Sequence, residues 1–259
     1  DVGAASATVA PADGGTASTP ATRTVEGVSF ATGWTQVTGE SWVGSVLDIA
    51  ALPAGGFVAA WLDPGVAQAT GRTGVRWSPD GVHWRDADPQ GVVELSEPAP
   101  DAGPPRQILA ATNERVVVLD VAGARVWVGD LAKQTWRPVD LATPWDSGVD
   151  LLAVAANDTQ VLVVGQTFAG PAVLADPPQP DVLRIGVAWV LDPVAGTAVR
   201  HQLPTATVVP GGAGGVLAEW YADQWVLLMP DKLPASAEDR LVMLASPGGE
   251  AWAKTDLPR

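Results

Sequence analysis

The chain repeats one short pattern four times: an apolar run, a tight turn rich in Gly, Asn or Asp, and a second run heavy in Val, Leu and Trp. The four copies read DIAALPAGGFVAAW, ILAATNERVVVLD, LAVAANDTQVLVVG and LAEWYADQWVLLM. Two short apolar runs on either side of such a turn are typical of a β-hairpin. This repetition constrains the fold more than any single motif does, because every copy must adopt the same supersecondary structure.

A third and a fourth run follow each hairpin. They read TGVRWSPDGVHWRDA, ARVWVGDLAKQTWRPV, GVAWVLDPVAGTAVRHQL and LVMLASPGGEAWAKTDL, with Trp77, Trp127, Trp189 and Ala245 at matching places. A repeated unit of four antiparallel strands is the signature of a β-propeller blade, and the predicted blades cover approximately 45–88, 106–140, 149–203 and 215–258. A β-sandwich is the main alternative, but its strands would not normally repeat in register.

One further segment near the start, GWTQVTG with Trp34, resembles a fourth run that has no first three. We therefore expect an all-β protein, a β-propeller of four-stranded antiparallel blades with four recognisable blades plus an extra N-terminal outer strand. That strand could complete the last blade and seal the ring, or it could belong to a larger propeller of which this chain is a part. Otherwise an open sheet edge remains.

Residues 1–27 are almost entirely Ala, Thr, Ser, Pro and Gly, with few large apolar side chains. Such a segment cannot bury enough surface to offset the entropy of ordering, so we expect a flexible tether before a propeller at 28–259. Because the chain begins with Asp rather than Met, a processed, extracytoplasmic protein is expected, either secreted or anchored to a cell envelope through this segment. The Ala-, Val-, Gly- and Asp-rich composition suggests a bacterial source.

Charge and composition exclude several classes of partner. With 29 acidic against 15 basic residues the net charge is -14, which would repel nucleic acid and anionic lipid. The absence of cysteine excludes disulfides and thiolate metal sites. The sequence contains no apolar run of the roughly 18 residues that a membrane span needs, so a membrane-spanning protein is not expected.

The stretch SPDGVHW contains Ser78, Asp80, Gly81 and Trp84. It resembles the Asp-box, the bacterial neuraminidase repeat of sialidases, sortilin-like receptors and many secreted propellers, with the pattern Ser-x-Asp-x-Gly-x-x-Trp. Here the stretch is one residue shorter. SPGGEAW, beginning at Ser246, aligns with it but has Gly in place of the Asp, and the middle two units keep only Asp130 and Asp192. The resemblance implies a structural role for all these residues, in the turn between the third and fourth strands of a blade and away from any active site.

The longer connections lie between second and third runs and between units, so they should share one face, where binding or chemistry usually occurs. Candidate ligand-binding residues there are Trp145, Asp146, Asp63, Arg72, Asp176, Asp181 and Asp231. The acids do not have the alternating spacing of a calcium loop. We predict no metal and no cofactor, and a protein or carbohydrate ligand.

Enzymatic motifs are missing. A sialidase-like site would need a Tyr nucleophile, but the single tyrosine, Tyr221, is predicted beside a short turn on the opposite face. No nucleophile elbow, phosphate loop or zinc motif occurs. We therefore predict no catalytic residues and a non-catalytic propeller that binds a protein or glycan through its long-loop face. The alternative is a glycoside hydrolase of sialidase-like fold that uses paired carboxylates such as Asp146 and Asp181.

Overall fold

The structure is a computed structural model in which residues 21–25, 28–32, 45–62, 73–93, 107–120, 125–141, 149–168, 184–207, 216–232 and 239–257 are described. The chain divides into two compact units, Asp1–Ser41 and Trp42–Arg259. In the first unit β1 (Ala21–Val25) pairs antiparallel with β2 (Val28–Thr32). β1 lies inside the segment predicted to be a tether, whereas the predicted outer strand around Trp34 lies outside the described residues.

The second unit contains four antiparallel sheets of four strands each, in which sequence neighbours pair. The strands are β3 (Ser45–Ala51), β4 (Phe57–Leu62), β5 (Thr73–Ser78) and β6 (Arg85–Asp86) in blade 1; β7 (Leu109–Ala111), β8 (Val116–Asp120), β9 (Arg125–Asp130) and β10 (Thr135–Val139) in blade 2; β11 (Asp150–Ala156), β12 (Val161–Phe168), β13 (Arg184–Asp192) and β14 (Thr197–Thr207) in blade 3; and β15 (Leu217–Tyr221), β16 (Gln224–Lys232), β17 (Asp239–Ser246) and β18 (Ala253–Asp256) in blade 4. The predicted all-β fold with four blades, arranged as a four-bladed β-propeller, is confirmed.

The third strands carry the residues that first revealed the repeat. Trp77, Trp127 and Trp189 lie in β5, β9 and β13, and Ala245 occupies the same place in β17. Each of them faces a valine across the ladder to the second strand: Val58, Val118, Val163 and Val226, respectively. The internal repeat in the sequence is therefore a repeat of cross-strand pairs.

The core lies between the blades rather than within them. First strands of successive blades contact one another, β3 with β7, β7 with β11 and β11 with β15. Buried side chains form two clusters, one spanning blades 1 to 3 and one spanning blades 3 and 4. In β12, Val163 belongs to the first cluster and Leu162 to the second, because alternate side chains of a strand point to opposite faces. Residues 161–167 are buried without interruption for that reason.

Polar contacts reinforce the apolar ones between blades. The indole N–H of Trp136 in blade 2 donates to the carbonyl of Ala87 after blade 1, at 2.8 Å. Its ring lies so close to Gly129 on the neighbouring strand that an added Cβ there would be 2.6 Å from the ring. The N–H of Asn113 donates to the carbonyl of Asp158 in blade 3, at 3.0 Å. Blade 2 is thus hydrogen-bonded to both of its neighbours.

Replacing Trp189 tests how much of the stability comes from this packing. Its side chain is fully buried, whereas Trp77 at the equivalent place in blade 1 is only partly buried. We expect Trp189→Ala to reduce the free energy of unfolding by about 3–5 kcal/mol, through lost burial and the cavity left behind. Trp77→Ala, the matched control, should cost clearly less. Urea titrations followed by circular dichroism measure both, and equal losses would contradict packing as the source of the difference.

Candidate functional site

The two ends of the blades are built differently. First-to-second and third-to-fourth strands are joined by tight turns, which define the short-turn face. The second-to-third connections and the links between blades leave from the opposite ends, which define the long-connection face. These segments are 63–72, 94–106, 121–124, 142–148, 169–183, 208–215 and 233–238, and all lie outside the described residues. The described strand ends that carry them form the candidate site.

Asp48 in β3 links blade 1 to blade 2. Its Oδ2 accepts hydrogen bonds from the backbone N–H groups of Ile108 (2.8 Å) and Leu109 (2.9 Å), and Oδ1 accepts one from its neighbour Ile49 (2.8 Å). Burial raises the pKa of Asp48, although the three backbone hydrogen bonds oppose that shift. The carboxylate therefore joins blade 1 to blade 2 by accepting hydrogen bonds from two backbone N–H groups at the start of blade 2.

Gln107, two residues before the start of β7, spans from blade 2 to blade 4. Its side-chain amide donates from Nε2 to the carbonyl of Ala218 (3.0 Å), and its Oε1 accepts from the N–H of the same residue (2.8 Å). The amide thus pairs with both backbone groups of one residue in β15, as a neighbouring strand would. This contact ties together two blades that are not adjacent in the chain.

Asp150 and Gln166 form a polar pair within blade 3. They face each other across the β11–β12 ladder, and Gln166 Nε2 donates to Asp150 Oδ2 at 3.1 Å. Gln166 is almost completely buried, and its Oε1 has no hydrogen-bond partner among the described residues. A buried amide oxygen of this kind can accept a hydrogen bond from water or a ligand.

Two more carboxylates are buried at the same ends. Asp88, after β6, accepts the N–H of Val93 on Oδ2 at 2.7 Å, while its Oδ1 has no hydrogen-bond partner within the described ranges. Asp120 ends β8 and is 2% exposed. Taken with Asp48 and Asp150, these residues place four carboxyl groups on or near the long-connection ends of blades 1 to 3. Asp48, Asp88 and Asp150 accept hydrogen bonds from other groups at or near these ends.

In the part of the chain that the structure describes, no group of three or more His, Asp or Glu residues could hold a metal ion. The same residues contain no helix with the length and apolar character needed to cross a bilayer. Tyr221 is 68% exposed and lies beside the two-residue turn between β15 and β16, on the short-turn face.

Six of the seven predicted ligand-binding residues, Asp63, Arg72, Trp145, Asp146, Asp176 and Asp181, lie outside the described residues. The seventh, Asp231, lies near the end of β16, where its backbone is opposite that of Arg240 in the β16–β17 ladder. Their roles stay predictions. Sequence reasoning assigned no role to Asp48, Gln107, Asp150 or Gln166. The available signal was a charged residue inside or beside an apolar run, as in SVLDIAA and DLLAVAA.

The stretch that begins at Ser78 forms the turn between β5 and β6. Ser78 Oγ accepts from the N–H of Gly81 (2.8 Å) and donates to Asp80 Oδ1 (3.0 Å). The same Oδ1 accepts from the N–H groups of Val82 and His83 (both 2.8 Å), and Trp84 Nε1 donates back to the Gly81 carbonyl (3.1 Å). Gly81 has a positive φ of 77°, which glycine adopts without strain.

The other blades share parts of this turn. In blade 4, Ser246 Oγ accepts from the N–H of Gly249 (2.8 Å), and Trp252 Nε1 donates to the Gly249 carbonyl (2.9 Å). In blade 3, Asp192 Oδ1 accepts from the N–H groups of Val194 and Ala195 (both 2.9 Å). In blade 2, Asp130 Oδ1 accepts from the N–H of Lys133 (3.1 Å). Each of these side chains stabilises its own turn.

Comparisons with known proteins support the fold alone. No family model matches the chain, and no curated protein matches it. Among solved structures, uncomplexed Pyrococcus horikoshii acylaminoacyl peptidase superimposes with a TM-score of 0.53 at 11% identity, covering 84% of this chain and 32% of that chain. The chain therefore spans about a third of the length of that protein.

Two further solved structures match with lower scores. The β-propeller domain of the Trilobed protease from Pyrococcus furiosus gives a TM-score of 0.48 at 9% identity, over 84% of this chain and 57% of that one. Trypanosoma rangeli sialidase in complex with 2,3-difluorosialic acid gives 0.42 at 11% identity, over 82% of this chain and 36% of that one.

Asp48 can be tested through the amides that it satisfies. Asp48→Ala would leave two buried N–H groups without an acceptor, and we expect it to lower the free energy of unfolding by about 2–4 kcal/mol. Asp48→Asn, the matched control, keeps an acceptor oxygen and should cost less. Since the folded pKa of Asp48 is raised, its favourable contribution is present at acid pH and is lost as the pH rises through that pKa. The stability of the wild type relative to Asp48→Asn should therefore fall as the pH rises above the ordinary aspartate pKa of about 3.9, and a rise would contradict this assignment.

Asp80 provides the opposite pH dependence. Hydrogen bonds from the backbone and side chain of His83, followed by the N–H of Val82, hold the pKa of Asp80 well below its usual range. Its contribution is thus present above the unfolded pKa of about 3.9 and is lost as the pH falls through the folded pKa. We expect Asp80→Ala to lower the melting temperature at pH 7 and to leave ligand binding intact.

The control for Asp80 is Glu250→Ala, which removes an exposed carboxylate from the matching turn of blade 4. It should leave the melting temperature unchanged in the same thermal scans. If Asp80→Ala kept the wild-type melting temperature but abolished ligand binding, Asp80 would be a functional residue rather than a turn residue.

Proposed function

We propose that this chain is a non-catalytic β-propeller, secreted or anchored to a cell envelope, that binds a protein or glycan at its long-connection face. The observation that carries the proposal is the difference between the two ends of the blades. At the short-turn face, Ser78, Asp80 and Asp192 hydrogen-bond to their own turns. The long segments, which contain six of the seven predicted ligand-binding residues, all start and end at the opposite face.

The described strand ends support such a use. Asp48 and Gln107 hold the start of blade 2 against blades 1 and 4. A fixed platform of this kind reduces the entropy lost when the segments that leave it bind a partner. The oxygens of Asp88 and Gln166 without partners among the described residues would then be available as hydrogen-bond acceptors for a polar ligand.

The recurring turns between third and fourth strands support the second part of the proposal, that the chain belongs with the Asp-box propellers. In blades 1 and 4 a buried serine and a tryptophan make the same two hydrogen bonds within the turn. Since one such turn ends a strand pair in each blade, its role is structural.

Binding can be tested with a glycan array and with a panel of nitrophenyl glycosides. Trp145 lies in the segment 142–148 that leaves the long-connection face after blade 2. If it stacks on the bound sugar, Trp145→Ala should weaken binding of the retained glycan by about 2 kcal/mol, or roughly 30-fold. Tyr221→Ala removes an exposed aromatic side chain from the short-turn face and should leave affinity unchanged.

Two outcomes would overturn the proposal. Loss of binding in Tyr221→Ala with normal binding in Trp145→Ala would place the site on the other face. Release of nitrophenol from any glycoside that disappears in Asp146→Asn would instead support a glycoside hydrolase with paired carboxylates.

A further inference from the structure

A second site lies on the short-turn face, between blades 2 and 3. A cavity of about 220 Å³ opens there, lined by Arg115, Val128, Asp130, Lys133, Thr135, Trp136, Arg137 and Val194. Three of the eight lining residues are basic and one is acidic, in a chain whose net charge is -14. The basic residues come from three different places: the β7–β8 turn, the β9–β10 turn and β10.

Arg115 and Lys133 share a single carboxylate. Arg115 Nη1 and Lys133 Nζ each lie 3.1 Å from Asp130 Oδ2. Burial alone would raise the pKa of Asp130, but the hydrogen bonds from Lys133 and the charges of Arg115 and Lys133 lower it overall. Glu114 is the other acid nearby, at 4.0 Å from Arg115, and its side chain is 66% exposed. Asp130 and Glu114 together balance the formal charges of Arg115 and Lys133, so any excess positive charge at the cavity comes from Arg137.

Arg137 adds a charge that no carboxylate in the described ranges neutralises. Its Nη2 donates to the carbonyls of Pro193 (3.1 Å) and Val194 (2.9 Å) in the β13–β14 turn. The guanidinium packs against Gly196, where any Cβ would collide with it. These contacts fix the guanidinium at the cavity and leave its Nη1 and Nε without a described partner.

We propose that this cavity binds a small oxyanion of the phosphate or sulfate class, either free or carried on a larger molecule. Arg137 can donate hydrogen bonds from Nη1 and Nε to oxygens of such an anion, and the ammonium of Lys133 supplies a flexible point charge. Thr135 also lines the cavity and can donate a hydroxyl hydrogen bond. The site lies on the face opposite the long connections, so it is independent of the proposed function.

Titration calorimetry with inorganic phosphate, inorganic sulfate and glycerol 3-phosphate tests the proposal, at constant ionic strength because exposed charges are screened by salt. We expect saturable binding of one stoichiometric equivalent. Arg137→Gln should weaken it at least about tenfold, the usual cost of a lost charge-assisted hydrogen bond. Arg137→Lys, which keeps the charge but not the planar fork, should show an intermediate loss. Stronger binding of glycerol 3-phosphate than of both inorganic anions would indicate a carried oxyanion.

Two further variants separate binding from folding. Arg125→Gln removes one positive charge from the other end of β9 and should leave affinity unchanged. Asp130→Asn keeps an oxygen for the N–H of Lys133 but removes the competing carboxylate, so it should bind the anion more tightly. If Arg115, Lys133 and Asp130 formed only a structural ion-pair network, Asp130→Asn would lower the stability and leave anion binding unchanged. Equal affinities in the wild type, Arg137→Gln and Arg125→Gln, or no saturable binding by the wild type, would overturn the proposal.

Discussion

A β-sheet blade that is apolar on both faces has to be covered on both faces, and the rest of this structure depends on that requirement. In β12, Val163 packs toward the cluster of blades 1 to 3, whereas Leu162 packs toward the cluster of blades 3 and 4. Blade 3 can therefore exist only between two neighbours, and the ring satisfies this need. Since the faces are used for packing, a polar side chain away from the strand ends needs hydrogen-bond partners, as Asp48 in the middle of β3 has in three backbone N–H groups.

The two ends meet that condition in different ways. At the short-turn face a polar side chain stabilises the turn after each third strand, as Asp192 does through Val194 and Ala195, although Arg137 also reaches from blade 2 to the turn of blade 3. At the long-connection face Asp48 and Gln107 reach across blades, whereas Asp150 and Gln166 pair within blade 3. A buried carboxylate is tolerated only where N–H donors point at it. The long connections consequently start from positions that neighbouring blades hold in place.

Whether two contacting residues are close or far apart along the chain explains how much of the structure the sequence could predict. The strands, their order and the tryptophans of the third strands could be predicted because alternation and turn chemistry are local and are repeated four times. The pair formed by Gln107 and Ala218 joins residues far apart in the chain, and no local pattern marks it. The basic cavity was missed for the same reason, since Arg115, Lys133 and Arg137 come from three separate parts of blade 2 and the cavity is completed by Val194 of blade 3.

The repeat also shows which features the fold itself requires. Asp80, Asp130 and Asp192 have equivalent roles, each accepting backbone N–H groups in the turn after a third strand. Blades 1 and 3 form this turn with no Arg or Lys within ion-pair distance of the carboxylate among the described residues. The two bases on Asp130 are therefore not needed to make the turn, and blade 2 differs from its sister blades in chemistry rather than in architecture. The fold does not need Arg115 and Lys133 at this turn, yet both lie beside a cavity together with Arg137, which no described carboxylate neutralises. Ligand binding would maintain such a departure from symmetry.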